Sequence, residues 1–351
     1  MDTIFCPNHD NSNESINKEV RFLNELGIKT YDFADFKRCP WKLAFLKAVN
    51  LNWYDDINEA NHIKARLILL KKTCMISFFK LFHVRIIYTL HNRIAHDGKS
   101  PVENMILKKF LMRRADTIAL LSKKSRDYAV SVIGRKYKKG LFFYVGHPSY
   151  ENHYCTDQVK HAGMVFLYYG MVRPYKNVEL LLSAWKIAGL TDAKLIIAGK
   201  PVSEDYKNEI ERIVQDVPNV ELKLKYIENE KLDQMISGAD IVVSPLDKKS
   251  SMNSGTLIKA MCMKKTIIIP DIEMTYDYDL ENMFAYDYSG REEHLTVLSS
   301  KIKEAYELYK KDPEIIKKMG EKLYTCFMEK NSDAVFKHRF ELMYFGKNGN
   351  G

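Results

Sequence analysis

Two consecutive doubly wound α/β units are the fold that the sequence predicts, and three observations predict it. Short apolar runs alternate with amphipathic helical patterns along the whole chain, as parallel sheets covered by helices require. The chain has 351 residues, more than one ordinary core organises, so two domains of roughly 150 residues each are expected. A polar stretch from Glu151 to Gly163 separates the two series and reads as their linker.

In the first series, strands are expected at Thr3 to Cys6, Lys29 to Phe33, Phe45 to Asn50, Val84 to Leu90, Thr117 to Leu121 and Phe142 to Val145. Helices at Ser15 to Leu26, Pro101 to Arg113 and Lys123 to Val132 lie between them, with Pro101 suited to a first turn. In the second, strands fall at Met164 to Tyr169, Ala193 to Ala198, Val220 to Leu224, Ile241 to Ser244 and Thr266 to Ile269. Helices at Val178 to Ala188, Glu204 to Val214, Glu230 to Ser237 and Thr256 to Met263 fill the gaps. The expected domains are 1–155, 156–330 and a C-terminal segment, 331–351, whose helix Ala334 to Tyr344 folds back on the first domain. Two such units facing each other form a cleft at the carboxyl ends of their strands, so chemistry is sought in the loops there.

With 46% hydrophobic and 28% charged residues, the composition is that of a folded protein. The six cysteines are scattered, with no CxxC pair and no Cys/His cluster at zinc spacing, so neither a metal nor a disulfide framework is expected. Tyr276-Asp-Tyr-Asp279 offers a superficial Asp-x-Asp, read as a solvated turn. No basic and apolar leader opens the sequence, and no run of about 20 apolar residues would span a bilayer, the nearest, Leu67 to Phe82, being broken by lysines. A cytoplasmic location is therefore expected.

The net charge of +9 calls for a polyanionic partner. Cations concentrate in the first half, at Lys71, Lys72, Lys80 and Arg85, at Lys108, Lys109, Arg113 and Arg114, and from Lys123 to Lys139. Several share helical stretches with Phe78, Phe79, Leu81, Phe82, Phe110 and Leu111, as a surface lying on an anionic membrane would. Solvated outer helix faces are the competing reading.

Two loops of the second series carry anion-binding chemistry. After the strand ending at Tyr169, Gly170-Met-Val-Arg173-Pro-Tyr-Lys176-Asn177 leads into an amphipathic helix; Arg173 offers a bidentate fork, Lys176 a point charge, and the helix start its backbone donors. After Ser244, Asn253-Ser254-Gly255-Thr256 opens another helix with small polar residues, a plausible diphosphate seat. Either could instead be an ordinary basic or capping turn.

Gly170 to Trp185, Leu195 to Lys200, Ala239 to Leu246 and Asn253 to Pro270 together resemble, in order, the donor domain of GT-B glycosyltransferases of the group 1, GT4-like branch. The resemblance implies a fold of two Rossmann-like domains facing across a cleft, and a donor diphosphate gripped by Lys176 and by Asn253, Ser254, Gly255 and Thr256. Arg173 matches less closely, because the commoner family position just after the glycine holds Met171 here; Gly199, Lys200 and His147 complete the expected donor set. The branch's Glu-x7-Glu pattern is absent, with Ser251 and Lys259 in its places, and Asn-Ser-Gly-Thr resembles a sub-branch used in surface polysaccharide synthesis.

The first half adds Val49-Asn-Leu-Asn-Trp53, Thr89-Leu-His91-Asn92, Ala115 to Ser122 and Gly146-His147-Pro148, resembling the family's strand-end loops. His91, His96 and Asp97 then stand where a base or donor-sugar ligand would sit. Asp97 or His96 would be the base of an inverting reaction, and His91 a sugar ligand in a retaining one, while a structural hydrogen bond is the alternative for each histidine. Asn8 to Asn13 would face the acceptor, unless Asn13 simply caps the next helix. Tyr150 and Tyr154 either line the donor site or pack in the linker.

The resemblance implies a metal-independent hexosyltransferase using a UDP- or GDP-linked sugar as substrate and no separate cofactor. Its acceptor would be a glycan or an undecaprenyl-diphosphate-linked lipid at the inner membrane face. An inactive GT-B scaffold and a nucleic-acid-binding protein are the rival readings. No nucleic-acid motif is present, and Arg173, Lys176 and His91 speak against an inactive scaffold.

Overall fold

The computed structural model describes residues 2–9, 13–38, 45–94, 99–134, 136–150 and 163–346. The chain divides into two compact units, one of residues 1–148 with 331–351 and one of residues 149–330.

In the first unit, β1 (Asp2–Cys6), β2 (Lys29–Tyr31), β3 (Leu46–Asn52), β4 (Arg85–Leu90), β5 (Thr117–Leu120) and β6 (Phe142–Tyr144) form one parallel sheet in the order β2-β1-β3-β4-β5-β6. Its helices are α1 (Glu14–Glu25), α2 (Phe33–Arg38), α3 (His62–Leu81), α4 (Pro101–Arg114) and α5 (Ser125–Ile133). The inner strands are buried on both faces, which is why β3 to β5 read as apolar runs and not as alternation. The strand expected at Lys29 to Phe33 stops at Tyr31, and Phe33 begins α2.

The second unit repeats the plan with β7 (Met164–Tyr169), β8 (Ala193–Ala198), β9 (Val220–Lys223), β10 (Ile241–Val243), β11 (Thr266–Pro270) and β12 (Phe284–Tyr286). All pair in parallel, in the order β12-β11-β10-β7-β8-β9, the classical dinucleotide-fold arrangement whose direction reverses between β7 and β10. Helices α6 (Val178–Ala188), α7 (Glu204–Val214), α8 (Asn229–Ser237) and α9 (Gly255–Cys262) connect these strands, and α10 (Arg291–Lys311) packs against α6. Trp185 of α6 is fully buried, edge-on to Phe166 of β7, and its indole N–H donates to Pro218 O at 3.0 Å, so it satisfies its one polar atom while filling the core.

After α11 (Pro313–Asn331), α12 (Asp333–Phe345) completes the first unit. Phe336 is fully buried with its ring 6.1 Å from Phe22 of α1, Tyr344 Oη accepts from Asn50 of β3 at 3.2 Å, and Arg85 donates to Tyr344 O at 3.0 Å. Lys18 of α1 pairs with Asp333.

Part of the basic surface expected from the sequence is internal. Lys108 is 2% exposed and donates to Asn92 O and Arg93 O at 2.6 and 2.7 Å while pairing with Asp55. Lys72 donates to Tyr54 O and Asp56 O, Lys80 pairs with Asp116, and Arg85 is bound as above, so these cations brace loops. Phe79 and Leu111, expected on the interfacial surface, are core residues. The Tyr276 to Asp279 turn is solvated only in part: Tyr276 is exposed, but Asp277 and Tyr278 are buried, and Asp279 accepts from Glu281 N as a cap.

Replacing Phe336 by alanine removes a fully buried ring that joins α12 to α1, and is expected to cost about 3–5 kcal/mol of the first unit's stability in denaturant unfolding. An unchanged midpoint would mean that α12 adds nothing to that core.

Candidate donor site

At the reversal point of the second sheet, the loops after β7 and β10 leave the same edge side by side, the position where open α/β sheets bind ligands. The first loop starts at Gly170 (φ 124°) against Gly199 (φ 153°), which ends β8. A side chain on Gly199 would overlap the carbonyl of Gly170, so glycine is required for this approach. Val172 N donates to Lys200 O at 3.0 Å and Val202 N to Val172 O at 3.0 Å, fastening the two strand-end turns together. Gly199 is thus a packing glycine, and the Lys200 side chain is exposed.

Pro174–Lys176 forms a single 3-10 turn, closed by Lys176 N donating to Arg173 O at 2.9 Å. Asn177 follows at φ 54°, a left-handed conformation that asparagine tolerates, and its amide donates to Pro245 O at 2.8 Å. Asp247 N donates to Tyr175 O at 2.8 Å. The Lys176 turn is therefore sewn to the loop after β10 on both sides. Burial, and then the positive charge of Arg173, push the Lys176 ammonium down to about 8, so it titrates near physiological pH.

The second loop is held by Tyr288, whose hydroxyl accepts from Lys248 N at 3.1 Å and donates to Asp247 Oδ1 at 3.3 Å while its ring stacks on His294 at 3.9 Å. His294 is buried, and desolvation pulls it down to about 4, so it stays neutral and its Nε2 shares a 2.9 Å hydrogen bond with Tyr286. The loop ends in α9, whose N-cap Ser254 accepts from Leu257 N at 3.2 Å. Tyr169 donates to Thr256 O at 2.8 Å, and a side chain on Gly170 would meet Thr256 Oγ1 at 3.8 Å, which places the α9 N-terminus over the end of β7. A side chain on Gly255 would meet the Tyr150 hydroxyl at 3.8 Å, so Tyr150 borders the same place; Tyr154 lies outside the described residues.

Arg173, Lys176, Asn253, Ser254, Gly255 and Thr256 thus lie on two loops tied together at one sheet edge. Such a set, two cations and the free N–H groups of a helix start, can hold a diphosphate. Sequence reading missed the ties, Asn177 to Pro245, Asp247 to Tyr175 and Tyr288 to Asp247; only the Asn177-Val178 helix entry carried a local signal. Lys259, where a family carboxylate would stand, is buried in an ion pair with Asp233 of α8 at 2.5 Å, and Ser251 is buried with its N–H on Asp247 O at 3.0 Å. Among the described residues, no group of three or more His, Cys, Asp or Glu side chains has metal-binding geometry.

The other predicted residues lie in the first unit. His91 follows β4, stacks on Trp53 at 3.8 Å, and its Nε2–H donates to Asn52 Oδ1 at 2.9 Å. It is a fixed hydrogen-bonding group at a strand end, and Nε2 is not available as a base. His96 and Asp97 lie outside the described residues. His147 is buried, with Nδ1–H donating to Pro148 O at 2.9 Å; burial holds it near 4 and neutral, so it offers a donor phosphate no charge. Asn13 caps α1 by accepting from Ser15 N, while Asn8 and His9, after β1, line a cavity of about 660 Å³ with Asn17, Arg21 and Asn24 of α1.

These two parallel doubly wound units define the GT-B class of glycosyltransferase folds. Residues 158–279 match the family described as glycosyl transferases group 1. HepE from Anabaena, determined in complex with UDP and glucose, superposes with a TM-score of 0.67 over 98% of both chains at 11% identity. Sucrose-phosphate synthase from Thermosynechococcus elongatus superposes at 0.73 over 98% of both at 12% identity. In sequence, a GDP-mannose:glycolipid 4-beta-D-mannosyltransferase of Xanthomonas campestris pv. campestris is 24% identical over 208 residues, 58% of this chain and 55% of that protein. The chain therefore spans about half the length of the curated relatives it matches.

Lys259→Glu restores the family's acidic residue but sets it against Asp233, and is expected to cost about 3–5 kcal/mol or more in thermal or denaturant unfolding. The exchange Lys259→Asp with Asp233→Lys should recover most of that loss; equal stability of Lys259→Glu and the unaltered chain would show that the pair is not buried.

Proposed function

We propose that this chain is a glycosyltransferase that moves a hexose-type sugar from a UDP- or GDP-linked donor to a lipid-linked or glycan acceptor in cell-surface polysaccharide synthesis. The observation that carries the reading is that the loop of Arg173 and Lys176 is tied to the loop leading into α9 at the reversal point of the second sheet. The UDP seen with HepE and the GDP-mannose and glycolipid in the Xanthomonas relative's name support a nucleoside diphosphate donor and a lipid-linked acceptor.

As the anomeric bond breaks, negative charge gathers on the departing diphosphate. Arg173, Lys176 and the N–H groups of Gly255 and Thr256 are the groups proposed to stabilise it, a role that they can fill without a metal ion. His91, oriented by Asn52 and Trp53, is proposed to donate or accept a hydrogen bond at the sugar. The acceptor enters at Asn8 and His9, and the reaction is placed at the inner face of a membrane. No described helix is long and apolar enough to cross one.

The charge on Lys176 gives the test a sign. A bound diphosphate raises the lysine's pKa above its free value of about 8, so affinity is full below that pH and is lost as pH rises through it, by up to roughly tenfold per unit. Calorimetric titration with UDP and GDP should show this fall, and Lys176→Met should bind at least about tenfold more weakly and lose the pH dependence. Indifference of the chain to both nucleotides, or an unchanged profile in Lys176→Met, would overturn the reading.

A further inference from the structure

The outward faces of α3 and α4 are apolar where neither sheet needs them to be. On α3, Ile63, Leu67 and Leu70 are 73, 60 and 60% exposed; on α4, Val102, Met105 and Ile106 are 65, 41 and 50% exposed. Spacings of four, three and seven residues on α3, and of three, one and four on α4, put each trio on one helix side, opposite the buried Ala65, Ile76 and Phe79 of α3 and Leu107 and Leu111 of α4. The two helices pack against each other, with Arg66 Nε 4.0 Å from Glu103 Oε1, so the stripes join into one surface. At about 1.5 Å per residue, the stripe from Ile63 to Leu70 makes this surface about 10 Å long along α3.

Its charge is of one sign. Lys64, Arg66, Lys71, Lys109, Arg113 and Arg114 are all exposed, and the acidic residue in the two helices, Glu103, is 6% exposed. A second copy of the chain would bring like charges together. Apolar side chains rimmed by cations, on helices too charged to span a bilayer, match a surface that lies in the headgroup layer of an anionic membrane.

We propose that the α3 and α4 face docks this protein on anionic lipid, with Ile63, Leu67, Leu70, Val102, Met105 and Ile106 at the acyl boundary and the flanking cations on headgroup phosphates. The inference rests on the reading that the acceptor is membrane-borne and names the face that meets the membrane. Lys108, Phe79 and Leu111 take no part, because they are buried.

The test is co-sedimentation of the full chain with vesicles of phosphatidylcholine alone and of phosphatidylcholine mixed with phosphatidylglycerol. Binding is expected only to the mixed vesicles and should weaken with salt. Leu67→Ser with Leu70→Ser, and separately Lys109→Glu with Arg113→Glu, should each lower bound protein at least about fivefold, while stabilisation by UDP or GDP in a thermal shift stays as in the unaltered chain. The proposal is overturned if the unaltered chain ignores anionic vesicles, if both variants bind like it, or if Leu67→Ser with Leu70→Ser instead dissolves a dimer. Loss of nucleotide stabilisation with vesicle binding intact would sink the transferase reading alone.

Discussion

Parallel pairing of β7 with β10 is the constraint on which the donor site depends. In a parallel sheet every strand ends on the same edge, and at the one place where the order reverses, two loops leave in opposite directions with no helix filling the gap. Here those loops are Gly170 to Lys176 and Ser244 to Thr256, far apart in sequence. Two hydrogen bonds, from Asp247 N to Tyr175 O and from the Asn177 side-chain amide to Pro245 O, then hold the two loops together.

Holding that geometry in the absence of ligand has an electrostatic cost. Arg173 and Lys176 stand close in sequence in a partly buried turn, where desolvation and then the charge of Arg173 lower the lysine's pKa. A ligand with two negative phosphates relieves both, so the strain is converted into affinity for an anion. The neutral His147 and His294 add no further positive charge. The buried Lys259 is neutralised by Asp233, and Lys248 of the second loop pairs with Asp287.

Much of this was legible in the sequence where local chemistry sets the outcome. The ends of β7, β8, α6 and α7 coincide with those expected, since Ser203 caps α7 and Gly189, at φ 63°, stops α6. The edge strand β12, three residues long, shows no period, and α10 and α11 are polar on most of their length, so neither strand nor helices were foreseen. Helix α3 was legible only as a helical stretch without ends, for the opposite reason: apolar residues occupy its outer as well as its inner face, and no single stripe marks it. In the site, Lys176 and the α9 entrance could be found from residue type and position. Asn52 behind His91 and Tyr288 behind Asp247 could not, because each is joined to its partner only by the tertiary fold.

The most direct test is a crystal structure of the chain with UDP or GDP bound. The account predicts the terminal phosphate within hydrogen-bonding distance of Lys176 Nζ and of the Gly255 or Thr256 N–H, with Arg173 on the neighbouring phosphate. A nucleotide whose diphosphate lies away from both loops, with Lys176 unmoved and untouched, would contradict it.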